Sequence, residues 1–219
     1  MINYTHNLIQ LKVPVLTCLI LTLLCAMSPI RASAAVEPVL LEEGIGSLAV
    51  GRHLEFWVDP DGKAQLSKVL QLESDEWVAS EKQHPSMGFT ADTYWFRFTT
   101  INTSNQKLSL FLESGYTSLD NVHFYVIQND QIIDQYYTGD TLPFDQRRIF
   151  NRKFILPINF GPSESKDIVI KVQTEGSLQL PVVFRSHQNY NDYEQYFLVL
   201  QGLYFGIVLA MVLYNLVLF

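Results

Sequence analysis

The chain has 219 residues, with 15 basic side chains against 22 acidic ones and a formal net charge of −7 at pH 7. So acidic a chain repels duplex and single-stranded nucleic acid, which excludes a nucleic-acid partner. No Walker loop, GxGxxG, GxSxG or zinc-ligand spacing occurs, so no cofactor and no metal is expected.

The first element in chain order is a leader. Val13 to Met27 is an apolar run preceded by Lys12 and followed by Pro29, Arg31 and Ala32-Ser33-Ala34. This order describes a secretory signal peptide over residues 1–34, cleaved after Ala34; an uncleaved anchor helix is the rival reading. Both cysteines, Cys18 and Cys25, lie inside it, so the exported part has no disulfide and depends on its core. The leader removes Lys12 and Arg31 and no acid, leaving 13 basic against 22 acidic residues, a net charge of −9.

Val36 to about Ser47 reads as an extended lead-in, and Leu54 to Val58 as a short strand closed by the turn Asp59-Pro60-Asp61-Gly62. Apolar residues at 66, 69, 70 and 72 predict one short helix. Strands follow at Thr93–Ile101, Lys107–Glu113, Asn121–Gln128, Gln131–Tyr137, Asn151–Pro157, Asp167–Thr174 and Leu180–Arg185. Asn129-Asp130 supplies a tight hairpin turn. Turn signals recur without an intervening long helix, which predicts an all-β, antiparallel β-sandwich over residues 35–187. Residues 188–196 form a polar, tyrosine-rich bridge whose Tyr190, Tyr193 and Tyr196 suit a membrane–water interface. Phe197 to Phe219 then gives 23 uncharged residues, a helix about 35 Å long and sufficient to cross a bilayer.

Several segments carry a family resemblance. Gln201 to Leu216, with Gly202, Gly206 and the pair Tyr214-Asn215, resembles the first membrane helix of bacterial seven-helix receptors with diverse intracellular signalling modules (7TMR-DISM). Tyr94-Trp95-Phe96-Arg97-Phe98 resembles a strand of that family's second type of extracellular domain. So do Thr138-Gly139-Asp140, Leu142-Pro143-Phe144 with Arg147, and Gly176 to Pro181. The resemblance covers about residues 45 to 219. It implies a jelly-roll-like periplasmic sandwich similar to carbohydrate-binding modules, on the outer side of the bacterial inner membrane. Complete members continue into six more helices and a cytoplasmic cyclase, kinase or phosphatase module. The chain is therefore expected to be a truncated receptor, and no output is carried over to it.

Candidate site residues follow from side-chain chemistry. Arg147, Arg148, Arg152 and Lys153 cluster within seven positions of an acidic chain. Guanidinium groups grip carboxylates, phosphates and sugar hydroxyls, so Arg147 and Arg152 are candidates for a small anion or saccharide, with a solvated strand edge as the equal alternative. Phe144 and Tyr116 are possible stacking faces. Asp120 and Asp140 would orient Arg147 or bind hydroxyls, or Asp140 would only cap a turn. Trp95 and Arg97 share a strand face, either as a cation–π pair at a pocket or as an internal contact, while Phe96 and Phe98 face the core. Trp57 and Trp77 read as packing residues. Nothing in the spacing of the carboxylates or histidines selects a catalytic pair, so the domain is not read as an enzyme. Gly202, Gly206 and Ala210 make a small-residue stripe for helix packing.

The sequence thus predicts a ligand-sensing domain for a small anion or carbohydrate-like molecule, tethered to a membrane. The alternative is a tethered interaction module that dimerises, through sandwich or helix, without a small ligand.

Overall fold

The computed structural model describes residues 36–218; the expected leader lies outside the described residues. Thirteen strands run from β1 (Val39–Leu41) and β2 (Ser47–Ala49) through β3 (Glu55–Asp59), β4 (Val78–Ala79) and β5 (Ser86–Phe89). They continue with β6 (Thr93–Asn102), β7 (Leu108–Ser114), β8 (Asn121–Gln128), β9 (Gln131–Thr138) and β10 (Phe154–Phe160). The series closes with β11 (Ser165–Gln173), β12 (Ser177–Gln179) and β13 (Val182–Ser186).

A seven-stranded sheet has the order β4-β3-β6-β11-β8-β9, with β1 added parallel to the end of β6. A four-stranded sheet has the order β10-β7-β13-β2, and β12 pairs with β5 apart from both. Every pairing except β1–β6 is antiparallel. The lead-in segment is thus not merely extended: it gives one strand to each of the two larger sheets.

The alternation in β6 decides how the sheets meet. Phe96 and Phe98 point inward with Val122, Phe124, Ile168 and Ile170 of the same sheet. Leu110, Leu112, Phe154, Leu156, Val182 and Phe184 of the four-stranded sheet face them, and Phe98 meets Phe184 edge-on at 6.2 Å. Burying each such side chain contributes about 1.5–3 kcal/mol, which holds the sandwich without a cross-link. The polar exception, Asn102, is fully buried and fully satisfied. Its amide nitrogen donates to the Gln106 and Gly161 carbonyls at 2.7 Å each, and its oxygen accepts from Ser104.

A second apolar cluster lies on the outer face of the large sheet. There the short helix Leu66–Val69 and the Trp77 segment cover Trp95, Ile127 and Val169. The hairpin between β8 and β9 turns at Asn129 and Asp130, both with positive φ, as a tight two-residue loop requires. The strand expected from Asn151 starts only at Phe154, because the carbonyls of Asn151 and Arg152 accept hydrogen bonds from Arg147 instead of joining a ladder.

The terminal helix spans His187–Leu218, so the polar stretch 188–196 is its first part. It is long and apolar enough to cross a membrane. An added Cβ on Gly202 or Gly206 meets nothing within 4 Å, and Ala210 lies on the same exposed helix.

Candidate functional site

The outer face of the seven-stranded sheet is built from residues that alternate with the core. Register aligns Trp57, Trp95, Lys171, His123 and Tyr137 in one row across five strands. Tyr125, two residues along β8, stacks on Trp95 at 6.1 Å and on His123 at 4.1 Å. His123 also approaches Tyr137 at 5.5 Å, and its Nδ1 lies 2.9 Å from the Tyr125 hydroxyl. Lys171 Nζ sits 5.1 Å from the Trp95 ring. Burial, then the charge of Lys171, holds the His123 imidazole below its ordinary pKa, and burial pushes the Tyr125 phenol up. The Trp95 half of the row is covered, since Trp95 is buried in the second cluster. The other half borders a cleft of about 210 Å3 lined by His123, Tyr125, Tyr137 and Lys171.

Farther along the same face lies a cleft of about 410 Å3 that Arg97 helps to line. The guanidinium lies 4.2 Å over the ring of Trp77, rather than over its strand neighbour Trp95. Its Nε donates to Glu55 at 2.7 Å. Among the described residues its two terminal nitrogens find no hydrogen-bond acceptor. Asp167, which accepts a 2.6 Å hydrogen bond from Thr99, and Asp130 of the hairpin turn stand on the same cleft. Val69, Leu70, Ile127 and Val169 give it apolar walls. A planar cation clamped by a ring and a carboxylate is pre-oriented, so binding an anion costs it little side-chain entropy.

The other candidates gather elsewhere. Arg147 lies 4.6 Å from the Phe144 ring and 5.0 Å from that of Phe154, and its Nη1 donates to the Asn151 and Arg152 carbonyls. It organises the 144–152 loop. Asp120 accepts from the Glu175 amide at 2.7 Å. Burial first, then the neighbouring Asp120 charge, raises the Asp140 carboxyl above its usual range, and Arg147 opposes this. Gly139 allows that approach: a Cβ there would stand 1.9 Å from the Asp120 carbonyl oxygen. Tyr116 packs against the main core. Arg148 pairs bidentately with Asp134 at 2.6 and 2.7 Å.

Arg152 joins a different assembly, lying 4.4 Å over Phe197 of the terminal helix. Beside it, buried Lys153 bridges Glu113 of β7 and Glu194 of the helix, 3.1 Å from each. Arg185 of β13 approaches the other Glu113 oxygen at 3.3 Å and donates to Asn189 at 2.8 Å. Tyr193 lies between the two cations, 4.4 Å from Lys153 and 4.7 Å from Arg185. His187 stacks on Phe111 at 4.2 Å, and Asn151 donates to the Tyr190 hydroxyl at 2.8 Å. Tyr190 therefore docks on the four-stranded sheet, while Tyr193, though it meets both cations, and Tyr196 stay exposed.

Trp95 and Arg97 share one face of β6, opposite Phe96 and Phe98, as expected, and Trp77, expected as a packing residue, is buried in the second cluster. Sequence reasoning passed over His123, Tyr125, Tyr137 and Lys171. Their signal was available as alternation: each sits on the polar phase of a strand whose other phase is core.

A search of curated protein sequences finds no match. Among solved structures, similarity is found to CsCBM6-3 from Clostridium stercorarium in complex with cellobiose. That match has 9% identity and a TM-score of 0.24, and covers 52% of this chain and 92% of that one. A GH31 alpha-xylosidase from Xanthomonas citri matches at 8% identity and a TM-score of 0.25, over 61% of this chain and 16% of that one. Residues 51–186 match the family model 7TMR-DISMED2, described as 7TMR-DISM extracellular 2. That span holds β3 to β13 of the sandwich and is followed directly by the apolar helix, an arrangement that fits the sensor domain of a membrane receptor. The chain therefore belongs to the 7TMR-DISM extracellular 2 family.

Proposed function

We propose that the chain is a ligand-sensing domain held on the periplasmic side of the bacterial inner membrane. Its ligand is a small polar molecule, anionic or carbohydrate-like, bound on the outer face of the seven-stranded sheet. The observation that carries this reading is Arg97, clamped between Trp77 and Glu55 at the edge of a cleft of about 410 Å3, with both terminal nitrogens uncommitted among the described residues. On the same sheet face, the separate cleft of about 210 Å3 at His123, Tyr125 and Tyr137 offers ring faces of the kind sugars stack against. The role is binding rather than catalysis, since Glu55 is engaged by Arg97 and Asp167 by Thr99. The docked helix gives a bound ligand a rigid route toward the membrane, provided the ligand prefers one of two arrangements.

Titration calorimetry on the full chain in detergent micelles, with a panel of sugars and small carboxylates, tests this. A ligand whose affinity falls on Arg97→Gln or Tyr137→Ala supports the reading. A ligand that binds unchanged to both variants rejects the site. Concentration-dependent dimerisation with no ligand response favours an interaction module.

A further inference from the structure

Resting on that sensor reading, the geometry points to a zwitterionic ligand for the Arg97 cleft: a small molecule with a carboxylate and an ammonium group on the same carbon and an apolar side chain. The charge balance of the cleft is the first reason. Glu55 already neutralises Arg97, so Asp167 and Asp130 leave the rim with an excess of negative charge that repels a simple anion. An ammonium group answers that excess. The second reason is what remains open on each partner. Glu55 engages Arg97 through Nε, which leaves the terminal nitrogens, the pair that grips a carboxylate bidentately. Thr99 engages one oxygen of Asp167 and leaves the other.

The third reason is spacing. Arg97 pairs in register with Val169, and Asp167 lies two residues from Val169 on the same face. Such diagonal neighbours, about 7–8 Å apart, carry their side chains to one patch of the face, so one small molecule meets both. Val69, Leu70 and Ile127 then receive the rest of the molecule. A neutral sugar would leave both charged partners without a matching charge.

Calorimetry on the full chain in detergent micelles with four probes tests this. The probes are L-leucine, 4-methylpentanoate, which lacks the ammonium group, 3-methylbutylamine, which lacks the carboxylate, and cellobiose. L-Leucine is expected to bind at least about tenfold more tightly than either single-charge probe, because each lacks one charge-assisted hydrogen bond. Asp167→Asn is expected to weaken L-leucine about tenfold and, by removing a like charge from the rim, to bind 4-methylpentanoate no more weakly than the parent does. Arg97→Gln should weaken L-leucine and 4-methylpentanoate alike and leave 3-methylbutylamine unweakened. Arg97 also packs on Trp77, so the exposed Asp167 carries the test if Arg97→Gln does not fold. If 4-methylpentanoate or cellobiose binds as tightly as L-leucine and loses affinity in Arg97→Gln, the zwitterion is overturned and the sensor site stands. L-Leucine binding unmoved by Asp167→Asn also overturns it. Silence from all four probes overturns the zwitterion, and the wider sugar and carboxylate panel then judges the sensor reading.

Discussion

Lys153 Nζ lies 3.1 Å from the Glu194 carboxylate, and this contact ties the four-stranded sheet to the terminal helix. Glu113 and Arg185 complete a charge-balanced group of two acids and two bases, most of it out of water. A hydrophobic seam would permit sliding. Directed ion pairs fix one register between sheet and helix.

Removing Lys153 is expected to be far more damaging than removing its helical partner. Lys153→Met leaves Glu113 buried with only the longer Arg185 contact, which costs about 3–5 kcal/mol. Glu194 is partly solvated, so Glu194→Gln is expected to cost about 1 kcal/mol or less. Urea denaturation of the two variants, followed by tryptophan fluorescence, gives the comparison. Equal losses would show that the bridge is not the element that stabilises Glu113.

Gly139→Ala is expected to cost about 1–3 kcal/mol or more, because its Cβ would stand 1.9 Å from the Asp120 backbone oxygen, which cannot rotate away. Gly176→Ala is the control, with nothing nearer than Thr174 Oγ1 at 3.6 Å. A melting temperature for Gly139→Ala matching that of Gly176→Ala would show that the β9 exit is not constrained in this way.

The sandwich was legible because its strands obey one rule. Phe96 and Phe98 alternate with Trp95 and Arg97, and the two phases do go to opposite faces. The helix junction was not legible from the same rule. Glu113, Lys153 and Arg185 read as solvent-facing polar positions, and only a third layer makes them buried. A helical signal did exist, since His187, Tyr190 and Glu194 fall at spacings of three and four and make one face. The contacts of the loop after β9 were not legible either. There Arg147 donates to carbonyls, Arg148 pairs with Asp134 and Arg152 covers Phe197. Charge density in a sequence does not reveal which cations are already engaged.

The Asp120–Asp140 pair predicts a weak acidic dependence of stability. Asp140 has its pKa raised in the folded state, by burial first and by Asp120 second, from an ordinary value of 3.8. Its contribution is therefore fully present below that value and is lost as pH rises through the raised one. Asp140→Asn keeps a donor toward Asp120 without the charge. It is expected to gain about 0.5 kcal/mol at pH 7 relative to the parent and nothing at pH 3. An equal difference at both pH values would mean that the two carboxylates do not interact.

His123 gives the opposite sign in a different window. Burial, and then Lys171, lowers its pKa in the folded state below the ordinary 6.5, so the unfolded chain takes up the proton first as pH falls. Stability therefore rises with pH between the depressed folded value and about 6.5, and is flat in this residue's contribution above that range. His123→Gln is expected to remove the slope between pH 5 and 7 while losing the contact with the Tyr125 hydroxyl at all pH values. Lys171→Gln should narrow the window only slightly, because burial is the larger cause. Thermal melts of the three proteins at half-unit pH steps separate these effects. A slope that persists in His123→Gln would assign the titration to another group, and a slope that vanishes in Lys171→Gln would make charge, not burial, the dominant cause.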